Sequence, residues 1–323
     1  MPAMTMVEAL NLAIDQEMKK DKNVMVLGED VGVDGGVFRV TDGLQKKYGK
    51  DRVVDTPLAE SAIVGTSVGL AITGFKPIAE IQFEGFSYPA FNQIVNHVAR
   101  MRNRTRGNIS CPMVIRFPYS GGIRALEHHS DSPEAFFAHA PGLKVVIPST
   151  PYEAKGLMAS AIRDPDPVIF MEPKRVYRAI KEEVPEEPYL IPIGKAKIVK
   201  EGTDVTVIGY GSMLWIAQKA LEQLGNAYSV ELIDLRTISP LDTETIINSV
   251  KKTGRCVIVQ EAPQSFGVAA EIVAQINQKA LYDLEAPVER VAGFDTVMPL
   301  YKNEQNYLPS EERIIAAIKK VMK

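Results

Sequence analysis

Runs rich in β-branched residues alternate with helical patterns along most of the chain, and no other feature limits its fold so strongly. VMVL at 24–27, RVV at 52–54, PIAEIQF at 77–83, PMVIRF at 112–117, LKVVI at 143–147 and PVIFM at 167–171 are the first six runs. Short strands that are mostly apolar on both faces belong to a parallel sheet covered by helices. Between them, Val7 to Ile14 and Ala90 to Met101 carry apolar residues at helical spacing and read as crossover helices. From Lys181 to Gly194 the chain reads KEEVPEEPYLIPIG, a proline- and glutamate-rich composition that resists packing and marks a linker. After it the rhythm resumes with DVTVIGYG at 204–211, a helix near 213–224, VELIDL at 230–235, a helix near 242–252 and CVIVQEA at 256–262. A helix from about Gly267, VERVAG at 288–293 and a final helix from Ser310 complete it. The expected class is α/β with two parallel-sheet domains, 1–185 and 195–323, and right-handed crossovers. A length of 323 residues fits two domains at roughly 100–200 residues each.

Composition narrows the function classes. With 46% hydrophobic and 24% charged residues the chain is globular, and a net charge of −3 gives no basic field for nucleic acid or an anionic membrane. Cys111 and Cys256 are far apart and form no Cys-x-x-Cys pair, which favours a reducing cytoplasm over a disulfide framework or zinc site. The longest uncharged stretch, Ser61 to Phe75, is shorter than the roughly 20 apolar residues of a membrane span and reads as a buried helix. MPAMTMVEAL has neither a basic leader nor an Ala-x-Ala cleavage pattern.

Two segments carry candidate chemistry. Asp55-Thr56-Pro57-Leu58-Ala59-Glu60 follows a strand and opens a helix expected over 57–72, with Thr56 as its cap and Pro57 in the first turn. Glu60 there is either a helix-dipole partner or a carboxylate at the edge of a dry site, able to share a proton with a basic ring nitrogen. His128 and His129 lie on a loop between Gly121-Gly122 and the helical pattern EAFFAHA, where one imidazole can serve acid–base chemistry. No compact set of further metal ligands accompanies them. His139 reads as a packing residue. Gly65-Thr66-Ser67-Val68-Gly69 matches a nucleophile elbow, but its predicted helical setting argues against a serine hydrolase. Gly209-Tyr210-Gly211-Ser212 is a weak dinucleotide signal best read as a tight strand–helix turn. The run Arg100, Arg102, Arg104, Arg106 reads as a solvated helix end, with a subunit contact as the alternative.

Taken together, GED at 28–30, DTPLAE at 55–60, EIQFEGF at 80–86, HHSDSPEAFFAHAPGLKVVIPSTPYEAKGL at 128–157, DPVIFMEP at 166–173, DLRTISPLD at 234–242 and EAP at 261–263 closely resemble the beta subunit of the thiamine-diphosphate-dependent 2-oxoacid dehydrogenases. The likeness runs from about Met4 to the C-terminus. It implies a pyrimidine-binding first domain and a transketolase C-terminal-like second domain. By the resemblance, Glu60 hydrogen-bonds the aminopyrimidine ring nitrogen, and Leu58, Gln82 and Phe86 line the pyrimidine pocket. His129 would sit near the reacting centre, Glu29 on an acidic path between paired sites, and Asp295 at a docking position for a lipoyl-bearing acyltransferase core. The family's monovalent cation, K+, would be held by backbone near Met113, Ala161, Asp164 and Asp166.

The family's Gly-Asp-Gly…Asn motif for magnesium and diphosphate is missing: Asp34-Gly35-Gly36 is followed by no asparagine near 59–63. The resemblance therefore calls for an alpha partner, in a heterotetramer of two alpha and two beta chains, that holds Mg2+ and the diphosphate. The compartment would be the cytoplasm, or the mitochondrial matrix had a targeting segment been removed. For the 2-oxoacid, SPEAFF at 132–137 favours a branched-chain substrate. IPIGKA at 191–196 and KVVIPSTPYEAKGL also suit pyruvate. A noncatalytic scaffold subunit is the competing class.

Overall fold

A computed structural model describes residues 1–323. Its strands are β1 (Ala3–Met4), β2 (Val24–Gly28), β3 (Val53–Asp55), β4 (Lys76–Glu80), β5 (Val114–Tyr119), β6 (Lys144–Val146), β7 (Val168–Pro173) and β8 (Glu182–Glu183). They continue with β9 (Lys197–Lys200), β10 (Val205–Gly209), β11 (Val230–Asp234), β12 (Thr237–Ser239), β13 (Cys256–Pro263) and β14 (Glu289–Gly293). The helices are α1 (Met6–Lys20), α2 (Leu44–Tyr48), α3 (Glu60–Ile72), α4 (Met101–Arg104), α5 (Glu134–Ala138) and α6 (Pro151–Arg163). The second half adds α7 (Ser212–Leu224), α8 (Thr243–Thr253), α9 (Val268–Ala280), α10 (Glu304–Tyr307) and α11 (Glu311–Val321).

Seven strands form one sheet in the order β12-β6-β7-β5-β4-β2-β3, and five form a second, β14-β13-β10-β11-β9. All pairings inside the first sheet are parallel except β12 on β6, and inside the second all except β9 on β11. The α/β class is thus the observed one. No helix is long and apolar enough to cross a membrane.

The halves are less separate than the sequence rhythm suggests. Strand β12 comes from the second half yet pairs with β6, Thr237 opposite Val146. One hydrophobic cluster runs from Leu27, Ile115 and Phe117 through to Ile208, Ile258 and Ile276, so the core is shared. The stretch 181–194 does not behave as a free linker. Val184 and Ile191 are buried, β8 pairs with β1, and Lys155 Nζ donates to the carbonyls of Pro185 and, at 2.7 Å, Glu187. Ser160 Oγ donates to Ile191 O at 2.7 Å. Pro185, Pro188 and Pro192 carry no N–H and interrupt regular backbone pairing, and side chains of α6 bond the carbonyls of the strap instead.

Four local readings need correction. Helix α3 begins at Glu60, not Pro57, and Thr56 does not cap it: Thr56 N donates to Gly28 O at 2.9 Å, and the chain bends at Leu58 before the helix starts. Nor is α3 buried, because Ser61, Ala62, Thr66, Gly69 and Ile72 form an exposed uncharged face on this chain. The stretch 90–101 is a π-helical segment over 93–98 followed by the short α4, because Ala99 N reaches back to Ile94 O. His139 is exposed at the end of α5 rather than packed. Ser67 is buried inside α3 with its hydroxyl donating to Ile63 O at 2.8 Å, so it has no nucleophile-elbow geometry. Arg102 pairs with Asp166 at 2.5 Å and Arg104 bonds Asn96 O at 2.7 Å, leaving the arginine run on the surface.

Candidate active site

Parallel strands end on one edge, and open α/β sheets bind ligands outside those carboxyl ends. Here that edge collects the candidate residues. Glu29 follows β2, Glu60 opens α3 just after β3, Gln82 and Phe86 follow β4, and His129 lies on the loop after β5. Because β3, β2, β4 and β5 are neighbours in the sheet, loops distant in sequence converge.

An acidic cluster forms one end of this edge. Burial raises the Glu29 carboxyl above its ordinary range, and the negative charges of Asp30 and Glu60 raise it further. Gln82 Nε2 donates to Asp30 Oδ2 at 3.3 Å, tying the loop after β4 to the loop after β2. Glu60 is half-buried, and Leu58 is 70% exposed beside it. Thr56 Oγ1 is buried with no hydrogen-bond partner.

An aromatic box forms the other end. The His129 ring packs edge-on against Phe83 at 4.3 Å and Phe86 at 5.1 Å between centroids. Gly85 lets this happen: a Cβ there would stand 2.2 Å from the His128 carbonyl oxygen, so the turn after β4 lies directly against the histidine turn. Burial lowers the His129 pKa, as do the neighbouring His128 and Lys174 charges, which favours the neutral ring. Its Nδ1 is buried and unpartnered, as are the hydroxyls of Ser120 and Ser130 on the same loop. His128 is exposed.

Beneath both lies a lattice of buried charge that the sequence reading did not anticipate. Arg116 on β5 donates through Nε and Nη2 to Glu172 on β7, both at 2.6 Å, and through Nη1 to Glu80 on β4. Lys174 Nζ meets Glu84 at 2.7 Å with both side chains fully buried, and lies 5.4 Å over the Phe83 ring. Burial pushes Glu80 and Glu84 up to about 7 despite these cations. Glu134 accepts from Tyr210 at 2.7 Å and burial pushes it up to about 8. The signal was present as charged residues inside otherwise apolar strands, as in EIQFEGF and VIFMEP.

The remaining candidates lie elsewhere. Asp295 is exposed, and its carboxylate accepts from Ser265 N at 2.8 Å and Ser265 Oγ at 2.6 Å. Met113 O accepts from Val168 N at 3.0 Å and Ala161 O from Asp164 N at 3.3 Å. Lys144 Nζ lies 2.7 Å from Asp164 and 3.8 Å from Asp166, so an ammonium already neutralises those carboxylates.

These donors fit one end of thiamine diphosphate. A carboxylate for a ring nitrogen, an aromatic face and unpartnered polar atoms suit the aminopyrimidine, whereas the Glu29–Asp30–Glu60 cluster would repel a diphosphate. Residues 2–180 match the transketolase pyrimidine-binding domain and residues 194–314 the transketolase C-terminal domain. A solved structure titled split gene transketolase, inactive beta4 tetramer, overlays with a TM-score of 0.82 at 21% identity, covering 99% of each chain, which shows the fold. The class is therefore a transketolase-type pyrimidine-binding unit joined to its C-terminal domain.

Within it, the chain is 59% identical to the pyruvate dehydrogenase E1 component subunit beta of Acholeplasma laidlawii, over 100% of this chain and 99% of that one. It is 52% identical to the same subunit of Bacillus subtilis (strain 168), over 100% and 99%. The chain belongs to the family of beta subunits of the thiamine-diphosphate-dependent 2-oxoacid dehydrogenases.

Proposed function

We propose that this chain is the beta subunit of a pyruvate dehydrogenase, acting with an alpha subunit in a heterotetramer of two alpha and two beta chains. The overall reaction is oxidative decarboxylation of the 2-oxoacid, with the two electrons taken up as a lipoyl disulfide opens and accepts the acyl group. Relatives at 59% and 52% identity over essentially the full length carry pyruvate in their names, and this support outweighs SPEAFF, the short motif that favoured a branched-chain substrate. The observation that carries the reading is the acidic cluster and aromatic box sharing one sheet edge.

When bound, thiamine diphosphate supplies the electron sink that loss of carbon dioxide from a 2-oxoacid requires. Glu60 would hold a proton at the aminopyrimidine ring nitrogen, with Glu29 near it on the same sheet edge. Gln82 and Leu58 bound the ring, and Phe86 contributes a hydrocarbon face. His129, whose pKa burial lowers, would hydrogen-bond the acyl-bearing centre, or in its protonated form give a proton to the opening lipoyl sulfur. Mg2+ and the diphosphate belong to the alpha chain, and Asp295 offers its outward carboxylate to basic groups of the lipoyl-bearing acyltransferase core. A monovalent cation such as K+ would be held by backbone carbonyls near Met113, Ala161, Asp164 and Asp166, since Lys144 already pairs with the two aspartate side chains.

The test is co-expression with the alpha chain, addition of thiamine diphosphate and magnesium, and comparison of turnover on pyruvate and branched 2-oxoacids with an artificial electron acceptor. Preference for pyruvate, and inactivity without the alpha chain, are expected. Equal activity of the beta chain alone would refute the shared site.

A further inference from the structure

The loop that carries His129 is built in an awkward conformation. Ser120 (φ +74), Gly122 (φ +92) and Arg124 (φ +60) all lie in the left-handed region, two of them with side chains that disfavour it. Such a run turns successive N–H groups into one concavity, a nest that ordinarily receives an anion. In this chain the anion is internal. Glu304 of α10, 1% exposed, accepts from Gly122 N at 2.8 Å and from Arg124 N at 3.2 and 3.1 Å. Glu261 at the end of β13, also buried, accepts from Gly121 N and from Ser212 Oγ at 3.2 Å.

The fit around these bonds is close. A Cβ on Gly121 would stand 2.8 Å from Met298 Cε, and one on Gly122 2.6 Å from Arg175 Cδ. The Arg124 guanidinium lies 5.0 Å over the Tyr301 ring. Past the nest the chain turns through Leu126 to Ser130, with His129 N bonded to Leu126 O at 2.9 Å, and closes where Ser120 N meets Asp131 O at 2.9 Å. The start of the loop is thus held by carboxylates from the C-terminal half, and the imidazole hangs from its far arm.

We propose that Glu304, assisted by Glu261, is a positioning residue for His129: by accepting the N–H groups of Gly121, Gly122 and Arg124, two carboxylates of the C-terminal half fix the loop that carries the imidazole. The C-terminal half therefore reaches the reaction through this clamp. The catalytic consequence rests on the function proposed above, whereas the clamp itself does not.

The experiment uses the protein assembled with its alpha chain, thiamine diphosphate and magnesium, comparing native, Glu304→Gln, Glu304→Asp and His129→Ala forms. Amide exchange over 120–131 should quicken by about tenfold or more in Glu304→Gln while the two sheets keep their protection. Turnover in lipoyl-domain acylation should fall by about 10²-fold, with KM for pyruvate within about twofold of native. Glu304→Asp, which keeps the charge on a shorter arm, should recover part of the loss. In the His129→Ala background the same substitution should add less than about twofold, since both act through one imidazole. Unchanged exchange over 120–131, undiminished turnover, or an equal loss without His129 would each overturn the proposal. If the native assembly turns over no 2-oxoacid, the proposed function fails and the exchange measurement alone decides the clamp. Should Glu304→Gln not assemble, Glu304→Asp and Glu261→Gln carry the same measurements.

Discussion

Two layers of the first sheet's carboxyl edge treat their charges in opposite ways. In the lower layer Arg116, Glu80 and Glu172 form a buried triad, and Lys174 pairs with one oxygen of the Glu84 carboxylate. In the upper layer the Glu60 charge raises the Glu29 carboxyl and no cation offsets it, Leu58 stands 70% exposed, and Thr56 Oγ1 and His129 Nδ1 are buried without partners. A layer whose charges are paired within the chain is framework. A layer left unsatisfied is where a second molecule supplies the missing contacts. The exposed uncharged face of α3, next to Leu58, belongs with the upper layer: nothing in this chain covers it.

The largest expected effect comes from breaking the lower layer. Arg116→Met leaves Glu80 and Glu172 buried without their cation and should cost about 3–5 kcal/mol, read by urea denaturation; a near-neutral result would mean that the triad is not a framework. Glu60→Gln should instead leave stability within about 0.5 kcal/mol while turnover of the assembled enzyme falls by about 10²–10⁴-fold. A matching loss of stability would erase the distinction between layers.

A smaller effect separates the layers by pH. Glu134, ordinarily near 4.5, is pushed up to about 8 by burial. The folded chain therefore retains a proton that the unfolded chain releases, and this contribution is complete below 4.5 and lost as pH rises through about 8. Melting of Glu134→Gln relative to native should improve steadily from pH 5 to pH 8; a constant difference would show that the carboxyl is ionised throughout. The smallest effect is expected for Asp295→Asn, which should leave melting and turnover with an artificial acceptor unchanged and weaken only capture by the lipoyl-bearing core, read by surface plasmon resonance.

Local patterns were legible where local chemistry decides. Continuous apolar runs such as VMVL and PVIFM became β2 and β7, and Ser310 caps α11 by accepting from Arg313 N at 3.3 Å. What escaped depends on partners far along the chain. Arg116 meets acids 36 and 56 residues away, and Glu304 meets Gly122 across 182. Likewise β12 joins a sheet that its neighbours in sequence do not share. The absence of charge from 61–75 predicts a buried helix, whereas α3 keeps an uncharged face exposed on this chain. The convergence of Glu29 with Glu60 was legible only through the family resemblance, because periodicity says nothing about which strand ends become neighbours.

The most direct test is a structure of this chain with its alpha partner and bound thiamine diphosphate, read at one atom pair. The account predicts a Glu60 carboxylate oxygen at about 2.6–3.2 Å from the aminopyrimidine ring nitrogen, at the seam between the two polypeptides. A Glu60 carboxylate turned to bulk water, with the coenzyme's ring held by other residues, would contradict it.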